Sequence, residues 1–284
     1  MRPLIAILLA CLAALPAWAD PGVVQHHRYF ETSDHVRLHY IEAGRGRPIV
    51  LVPGWRMPAW IWQRQIDDLA RTWRVVALDP RGQGESAIPA KGYEPHRRGA
   101  DIGELIARLG PEKPLIIAWS LGVLDTLALI HDKGDRAIAG LVLVDNSIGE
   151  DPPPPPSPPR QGPKPAREVA MHNFVASMFA RKQPQAFINR LTAETLRTPE
   201  PAAAALMAYP MPRTFWKEAV YATAKPVLYI VRPRLEEQAA NLAARHPAAE
   251  THVVQALGHA LFVDDADGFN AMVRGFIGRR IWVK

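Results

Sequence analysis

The sequence predicts an α/β protein with a doubly wound, mostly parallel sheet of eight strands. Short apolar runs alternate with longer segments of helical periodicity along most of the chain. Several of these runs are apolar throughout, as parallel strands covered on both faces are. Further segments with helical spacing lie within residues 167–221, between the sixth and seventh predicted strands. We therefore expect a helical cap inserted after the sixth strand.

The elements of this sheet are predicted in order along the chain. Residues 28–32 and 35–41 alternate apolar and polar side chains on either side of a Ser33-Asp34 turn, which favours an antiparallel hairpin at a sheet edge. The remaining strands are predicted at residues 48–52, 74–78, 115–117, 140–144, 227–231 and 250–255, and the helices of the core at 59–71, 100–109, 121–130, 235–245 and 267–276.

The composition is that of a folded globular protein. The chain has 284 residues, of which 48% are hydrophobic, and this is enough for a large core. The formal charge is +6, and it becomes +5 if residues 1–19 are removed. Because the basic residues are dispersed and form no stripe interleaved with aromatic residues, we do not expect nucleic-acid binding.

Residues 1–19 have the features of a secretory signal peptide. Arg2 precedes an apolar run, and Ala-Trp-Ala at residues 17–19 is a small-x-small cleavage site. The run is shorter than the about 20 residues that a membrane anchor needs. We expect cleavage after Ala19 and an exported protein, periplasmic or secreted; a lipoprotein signal at Cys11 is the alternative. Cys11 is the only cysteine, so the mature chain has no disulfide and no thiol nucleophile.

Four segments organise the predicted chain. The signal peptide of residues 1–19 is followed by the first part of the core at 20–146, a Pro-rich connector and helical cap at 147–222, and the second part of the core at 223–284. The connector carries prolines at 152–156, 158 and 159, so it cannot join the sheet and should form a stiff spacer that proteases reach first. The apolar stripe of the first cap helix either packs as core or lines an apolar pocket.

A single serine follows a buried strand and precedes a helix. Residues 115–117 form the strand, Ser120 lies in the turn, and the apolar positions of residues 121–130 fit a helix. So tight a turn requires small neighbours, which here are Ala118 and Gly122. This is the G-x-S-x-G pattern with alanine in place of the first glycine, and it holds a serine hydroxyl exposed at the top of a sheet.

Two further loops end predicted strands on the same side. Pro53-Gly54-Trp55 follows the third strand and either presents backbone N–H groups to a developing oxyanion or is a plain turn. His259 follows the last strand, directly after Gly258, and is the only histidine of the ten with this placement. Its ring can therefore reach the sheet edge where Ser120 lies.

The histidines of the N-terminal hairpin raise the question of a metal site. His26, His27, His35 and His39 cluster there, but no carboxylate recurs at a ligand spacing, and the strand looks half exposed. We interpret them as ordinary surface residues. The sequence thus predicts no metal site and no cofactor.

The Ser120 turn, the Gly54 turn, the loop at residues 79–86 and the Gly258-His259 pair together resemble the α/β-hydrolase superfamily, in particular carboxylesterase-like serine hydrolases with a helical cap. The resemblance covers nearly all of residues 25–284. It implies Ser120 as nucleophile, His259 as general base, and the backbone N–H groups of Trp55 and Leu121 as oxyanion hole. Pro53 departs from the family, since many members have histidine before this glycine.

A second departure concerns the acid that orients the histidine. Many members have an aspartate shortly after the strand equivalent to residues 227–231, where this chain has Arg232-Pro233-Arg234. Asp145 ends the strand that follows the nucleophile helix, a position some related dehalogenases use. Glu236 and Glu237 lie just past the usual place and are the alternative acids. A loop-capping role would also explain Asp145, so its catalytic role stays open at this point.

These observations predict an exported serine hydrolase that cleaves a carboxylic ester, thioester or lactone through an acyl-enzyme on Ser120. Its expected partner is a small ester-type substrate, with no nucleic acid and no stable membrane span, and the sequence leaves the oligomeric state open. The alternatives are a cofactor-free perhydrolase or lyase, and a non-catalytic binding protein that has kept the fold and lost the acid.

Overall fold

The computed structural model describes residues 22–155 and 165–283. The predicted signal peptide, with Cys11 and the cleavage site after Ala19, lies outside the described residues. The same holds for residues 156–164 of the Pro-rich connector.

One mixed sheet carries the fold and confirms the predicted class. In the described ranges its eight strands follow the order β1-β2-β4-β3-β5-β6-β7-β8. The pairs β1–β2 and β2–β4 are antiparallel, and the other neighbours are parallel. The strands are β1 (Gln25–Glu31), β2 (Arg37–Ala43), β3 (Pro48–Val52), β4 (Arg74–Asp79), β5 (Leu115–Trp119), β6 (Gly140–Val144), β7 (Val227–Val231) and β8 (Ala249–Val253).

Helices cover both faces of this sheet. Those of the core are α1 (Gln63–Leu69), α2 (Pro95–Arg108), α3 (Leu121–Lys133), α8 (Glu236–Arg245), α9 (Leu261–Asp264) and α10 (Ala266–Phe276). The predicted helix at 59–71 is a 3-10 turn, Ala59–Trp62, followed by α1. Helix α2 begins earlier than predicted, because Pro95 occupies its first turn, where the fixed φ of proline suits a helix start.

The predicted cap is present as helices between β6 and β7. They are α4 (Arg167–Ser177), α5 (Gln185–Arg197), α6 (Glu200–Met207) and α7 (Arg213–Ala222). Helix α7 packs against the core, where the Trp216 Nε1–H donates to the Leu124 carbonyl at 3.2 Å. Among the helices of residues 22–155 and 165–283, none is long and apolar enough to cross a membrane.

The sheet separates two hydrophobic cores. Along β5 the buried side chains alternate, with Ile116 and Ala118 in one core and Leu115, Ile117 and Trp119 in the other. Every residue of β3, β5, β6 and β7 is buried, as the continuous apolar runs predicted. The carboxyl ends of these parallel strands therefore meet at one edge, where polar residues can be brought together.

The interpretation of His39 as a surface residue is wrong. Strand β2 is not at the sheet edge, because it pairs with β1 on one side and with β4 on the other. His39 is consequently 1% exposed, and it lies opposite Asp79 in the β2–β4 register. His35 precedes β2 and is exposed in the turn.

Candidate active site

Ser120 lies in the sharp turn between β5 and α3. Its backbone has φ 54° and ψ −123°, a conformation that L residues rarely adopt and that typifies a nucleophile elbow. Its N–H donates to the Val144 carbonyl at 3.0 Å. A side chain at Gly122 would place its Cβ 2.6 Å from the Val52 carbonyl oxygen, so the close packing of α3 on β3 requires glycine there.

The Gly54 turn packs directly against this serine. A Cβ added at Gly54 would lie 2.9 Å from Ser120 Cβ and 3.4 Å from its Oγ. Trp55 is tied to the cap, since its Nε1–H donates to the Ala203 carbonyl at 2.8 Å. Leu121 is the first residue of α3, so its backbone N–H has no acceptor within the helix. The predicted oxyanion residues thus lie beside Ser120, Trp55 in the loop after β3 and Leu121 at the start of α3.

His259 lies within hydrogen-bond distance of the serine, with 2.9 Å between its Nε2 and Ser120 Oγ. Its loop is fixed on two sides. The Trp119 Nε1–H donates to the His259 carbonyl at 2.8 Å, and the Gly258 N–H donates to Asp264 Oδ2 at 2.7 Å. A Cβ at Gly258 would lie 2.3 Å from a cap carbonyl, that of Met178, so glycine is needed before the histidine.

Asp145 provides the carboxylate for the other ring nitrogen. It is fully buried, and its Oδ2 lies 2.7 Å from His259 Nδ1. The same oxygen accepts the Nε–H of Arg232 at 2.7 Å, and Oδ1 accepts the Arg232 backbone N–H at 3.0 Å. Burial alone would raise the pKa of Asp145, but the hydrogen bond from His259 and the charges of His259 and Arg232 outweigh it, and the pKa lies below its usual range. Asp145 is therefore ionised at neutral pH.

The alternative acids lie elsewhere. Glu236 and Glu237 are exposed in the first turn of α8, where the helix dipole favours acidic residues. Neither is hydrogen-bonded to His259 in the described part of the chain. Asp145 holds the position next to the imidazole that the sequence had left open among three carboxylates.

Three residues of the site were missed by sequence reasoning. Arg232 was noted only as standing where an acid was expected, although an arginine and a buried aspartate at the ends of neighbouring strands are a signal for an ion pair. Asn146 donates its Nδ2–H to the Ser120 carbonyl at 2.8 Å. Asp264 accepts backbone N–H groups of Gly258, Ala180 and Arg181, and so joins the histidine loop to the cap. Only the tertiary fold shows these last two contacts.

A largely apolar cavity of about 150 Å³ opens onto Ser120 and His259. Its walls come from the core and from the cap, which covers the carboxyl edge of the sheet at this point. The lining residues are Trp55, Trp119, Ser120, Leu121, Leu124, Asn146, Phe174, Met178, Met207, Tyr209 and His259. Phe174 and Met178, in the apolar stripe of the first cap helix, therefore line the pocket.

The described site contains a hydroxyl, an imidazole and a carboxylate in a continuous hydrogen-bonded chain. Such a chain can remove the proton of the hydroxyl as the oxygen attacks an electrophilic carbon.

Comparisons with known proteins place the chain in a family. The sequence profile of the alpha/beta hydrolase family matches residues 49–272. The soluble epoxide hydrolase of Corynebacterium sp. (strain C12) is 34% identical over 99 residues, covering 35% of each chain. The non-heme haloperoxidase of Rhodococcus erythropolis is 31% identical over 126 residues, covering 44% of each chain. The chain thus aligns with less than half the length of these relatives.

A solved structure is similar over far more of the chain. The esterase RhEst1 from Rhodococcus sp. ECU1013 has a TM-score of 0.72 at 23% identity, covering 89% of this chain and 99% of that one. At 23% identity this similarity shows a shared fold and nothing about function. Because the family profile spans most of the chain, this protein belongs to the alpha/beta hydrolase family.

Proposed function

We propose that the protein is a serine hydrolase that cleaves a carboxylic ester, thioester or lactone through an acyl-enzyme on Ser120. The observation that carries the proposal is the hydrogen-bonded chain in which His259 lies 2.9 Å from Ser120 Oγ and 2.7 Å from Asp145 Oδ2. The names of the relatives span epoxide hydrolases, haloperoxidases and esterases, so they do not choose among reactions. Serine paired with imidazole favours acyl transfer.

In the proposed reaction Ser120 Oγ attacks the acyl carbon while His259 Nε2 takes the hydroxyl proton. The oxyanion that forms accepts hydrogen bonds from the N–H groups of Leu121 and Trp55. His259 then gives the proton to the leaving oxygen or sulfur, and the acyl group stays on Ser120. In the second half His259 takes a proton from water, and the water oxygen attacks the acyl carbon. The bond to Ser120 Oγ then breaks, His259 returns the proton to this oxygen, and the acid is released. Asp145 accepts from Nδ1 throughout and stabilises the imidazolium.

The size and lining of the cavity favour a substrate with a small, apolar acyl or alcohol group. A closed apolar cavity of 150 Å³ accommodates a molecule the size of benzene, and the cavity beside Ser120 has about this volume. We therefore expect kcat/KM to be greatest for groups of up to about six carbon atoms in a panel of p-nitrophenyl esters. Longer chains would have to displace Phe174, Met178 or Met207, which line the cavity.

A fluorophosphonate probe tests the mechanism directly. The wild type should be labelled on Ser120, and Ser120→Ala should not be labelled or turn over any ester. A well-folded wild type that remains unlabelled and inactive across the panel would overturn the proposal. Thermal stabilisation by one of the esters, without turnover, would instead favour a binding protein. The argument for a binding protein was that no acid follows β7. Asp145 gives His259 a carboxylate partner, which removes this argument.

Perhydrolysis is the second candidate, because one of the similar proteins is named a haloperoxidase and the same acyl-enzyme can react with peroxide. Peroxide would replace water in the second half of the reaction and give a peracid. Comparing ester turnover and peracid formation with and without peroxide separates the two reactions. Lyase chemistry would consume a substrate that carries no acyl leaving group.

We also propose that the protein is exported, because residues 1–19 have the features of a secretory signal peptide. Expression of the full chain in a bacterial host should yield a periplasmic or secreted protein whose first residue is Asp20, as read by N-terminal sequencing. A lipid-modified Cys11 would indicate a lipoprotein instead. A protein recovered with Met1 intact would show that the segment is not processed.

A further inference from the structure

The N-terminal hairpin carries a polar cluster separate from the Ser120 cavity. Nε2 of His39 on β2 lies 2.9 Å from Nδ1 of His27 on β1 and 3.9 Å from Oε2 of Glu85, in the loop after β4. Because β2 lies between β1 and β4, the sheet brings together residues that are far apart in sequence. Each of the three side chains offers one nitrogen or oxygen atom that can bind a metal ion, and these three atoms lie within 4.8 Å of one another.

Asp79 fixes which nitrogen of His39 faces this cluster. Its Oδ2 lies 2.7 Å from His39 Nδ1 and also accepts the Glu85 backbone N–H at 2.9 Å, while Oδ1 accepts the Ala59 N–H. Because Nδ1 of His39 is held by this carboxylate, Nε2 is the nitrogen that faces His27 and Glu85. A carboxylate on the far nitrogen is the arrangement that orients metal-binding histidines and raises their basicity.

The two distances measured from His39 Nε2 are close to those between the ligands of a tetrahedral ion. A zinc ion about 2.05 Å from two nitrogens at the tetrahedral angle holds them about 3.3 Å apart. The two imidazole nitrogens lie at 2.9 Å, so they would separate by a few tenths of an ångström, and Glu85 at 3.9 Å would approach by a similar amount. His27 and Glu85 are exposed, and Glu85 Oε2 also accepts the Tyr29 hydroxyl at 2.9 Å, so its approach to the ion has to keep or replace this bond.

The charges around the cluster favour a cation. A cavity of about 110 Å³ opens there, lined by the carboxylates of Asp79, Glu85 and Glu194 and by one guanidinium, that of Arg190. The Arg190 guanidinium lies over the Trp60 ring at 4.0 Å from its centroid. Carboxylates thus outnumber guanidinium groups at this cavity.

We propose that His27, His39 and Glu85 bind one divalent transition-metal cation of the zinc class, with Asp79 as the residue that positions His39. Two imidazoles and a carboxylate suit Zn²⁺ better than Mg²⁺ or Ca²⁺, which prefer oxygen ligands. The fourth position faces the cavity and takes water or a small ligand. The ion ties the edge strand β1 to the sheet, and it stabilises the folded state without taking part in the chemistry at Ser120.

Calorimetric titration with Zn²⁺ tests the site, using purified protein that carries no polyhistidine tag and has been dialysed against a chelator. We expect one ion per chain and a higher melting temperature in its presence. His27→Gln and Glu85→Gln should each weaken binding by at least about tenfold. Both positions are exposed, so these variants should retain the fold. His35→Gln is the matched control, because His35 lies on the same hairpin and pairs with Glu31.

Substitution by Co²⁺ gives a readout that a weak surface site would not show. Four-coordinate Co²⁺ with nitrogen ligands absorbs strongly in the visible range, and this absorption should be lost in His27→Gln and kept in His35→Gln. The proposal is overturned if the wild type binds no Zn²⁺ more tightly than millimolar. Equal affinity of His27→Gln and the wild type, in two variants with normal circular dichroism, would overturn it as well.

Discussion

Arg232 Nε donates to the same oxygen of Asp145 that lies 2.7 Å from His259 Nδ1. The arginine directly follows β7, where the resemblance implied an acid, and Asp145 directly follows the neighbouring strand β6. The side chain of Arg232 is 27% exposed, whereas Asp145 is fully buried. The guanidinium thus holds the displaced carboxylate in place and also shares its negative charge with the imidazole.

Replacing Asp145 by asparagine tests its role as the orienting carboxylate. Asp145→Asn keeps the shape and removes the charge that stabilises the imidazolium, so we expect kcat for a p-nitrophenyl ester to fall by roughly three to four orders of magnitude. KM should change little, because Asp145 lies behind the histidine and outside the cavity.

Glu236→Gln and Glu237→Gln are the controls for this measurement. Both glutamates are exposed on α8, and their variants should stay within about tenfold of the wild type. A large loss in either variant, with Asp145→Asn nearly active, would assign the acid to the helix. Near-full activity in all three would mean that another group orients His259.

Arg232→Gln tests the influence of the guanidinium. The Nε–H of Arg232 holds Oδ2 of Asp145, the oxygen that faces His259, so its loss leaves the orienting carboxylate less well held. We expect kcat to fall by about tenfold with little change in KM.

Arg232→Lys separates charge from hydrogen-bond geometry. Lysine keeps the positive charge but cannot reproduce the Nε–H contact with Asp145 Oδ2, so kcat should still fall. A purely structural role would lower the melting temperature in both variants and leave kcat of the folded protein unchanged.

The parts of the site that could be predicted from the sequence depend on local signals. The turn around Ser120 is predictable because an apolar strand, small flanking residues and a helix follow one another within ten positions. His259 and Asp145 each follow a predicted strand, and a parallel sheet brings such strand ends to one edge. The meeting of these three residues therefore needed only the sheet topology in addition to the sequence.

Other contacts depend on which strands become neighbours. His39 looked half exposed because β2 was expected at the sheet edge, and its pairing with β4 buries it beside Asp79. The pairing of Arg232 with Asp145 joins residues 87 positions apart and could be inferred only once β6 and β7 were known to be adjacent. Burial and pairing at this range follow from tertiary packing, which local periodicity does not encode.

Limited proteolysis tests the predicted connector. Prolines at 152–156, 158 and 159 remove backbone N–H donors, and on this ground the sequence predicts a spacer outside the sheet. We expect the first cuts between Asp151 and Lys164, and with trypsin at Arg160, because Lys164 precedes a proline. Arg160→Gln should delay the first cut. First cuts within the strands of the sheet would contradict the predicted domain organisation.

Glu150 stabilises the start of this connector against the cap, and its effect should depend on pH. It is buried, its Oε1 lies 2.6 Å from Lys217 Nζ, and its Oε2 accepts the Tyr221 hydroxyl at 2.6 Å. Burial tends to raise the pKa of Glu150, but these contacts outweigh it and lower the pKa to about 2, from 4.5. The ionised form is therefore more stable in the folded state than in the unfolded one, and this contribution is present above pH 4.5 and lost as the pH falls towards 2.

Glu150→Gln should lower the free energy of unfolding by about 1 to 2 kcal/mol at pH 7, since a charged hydrogen bond is lost and Lys217 is partly exposed. The difference between variant and wild type should shrink as the pH falls from 4.5 towards 2. Urea unfolding of both proteins at pH 7, 5, 4 and 3 measures this difference in the free energy of unfolding. Asp151→Asn is the control, because Asp151 is exposed and also contacts Lys217, and its difference from the wild type should be much smaller. If the difference for Glu150→Gln stays constant down to the lowest pH, the carboxylate does not have this role.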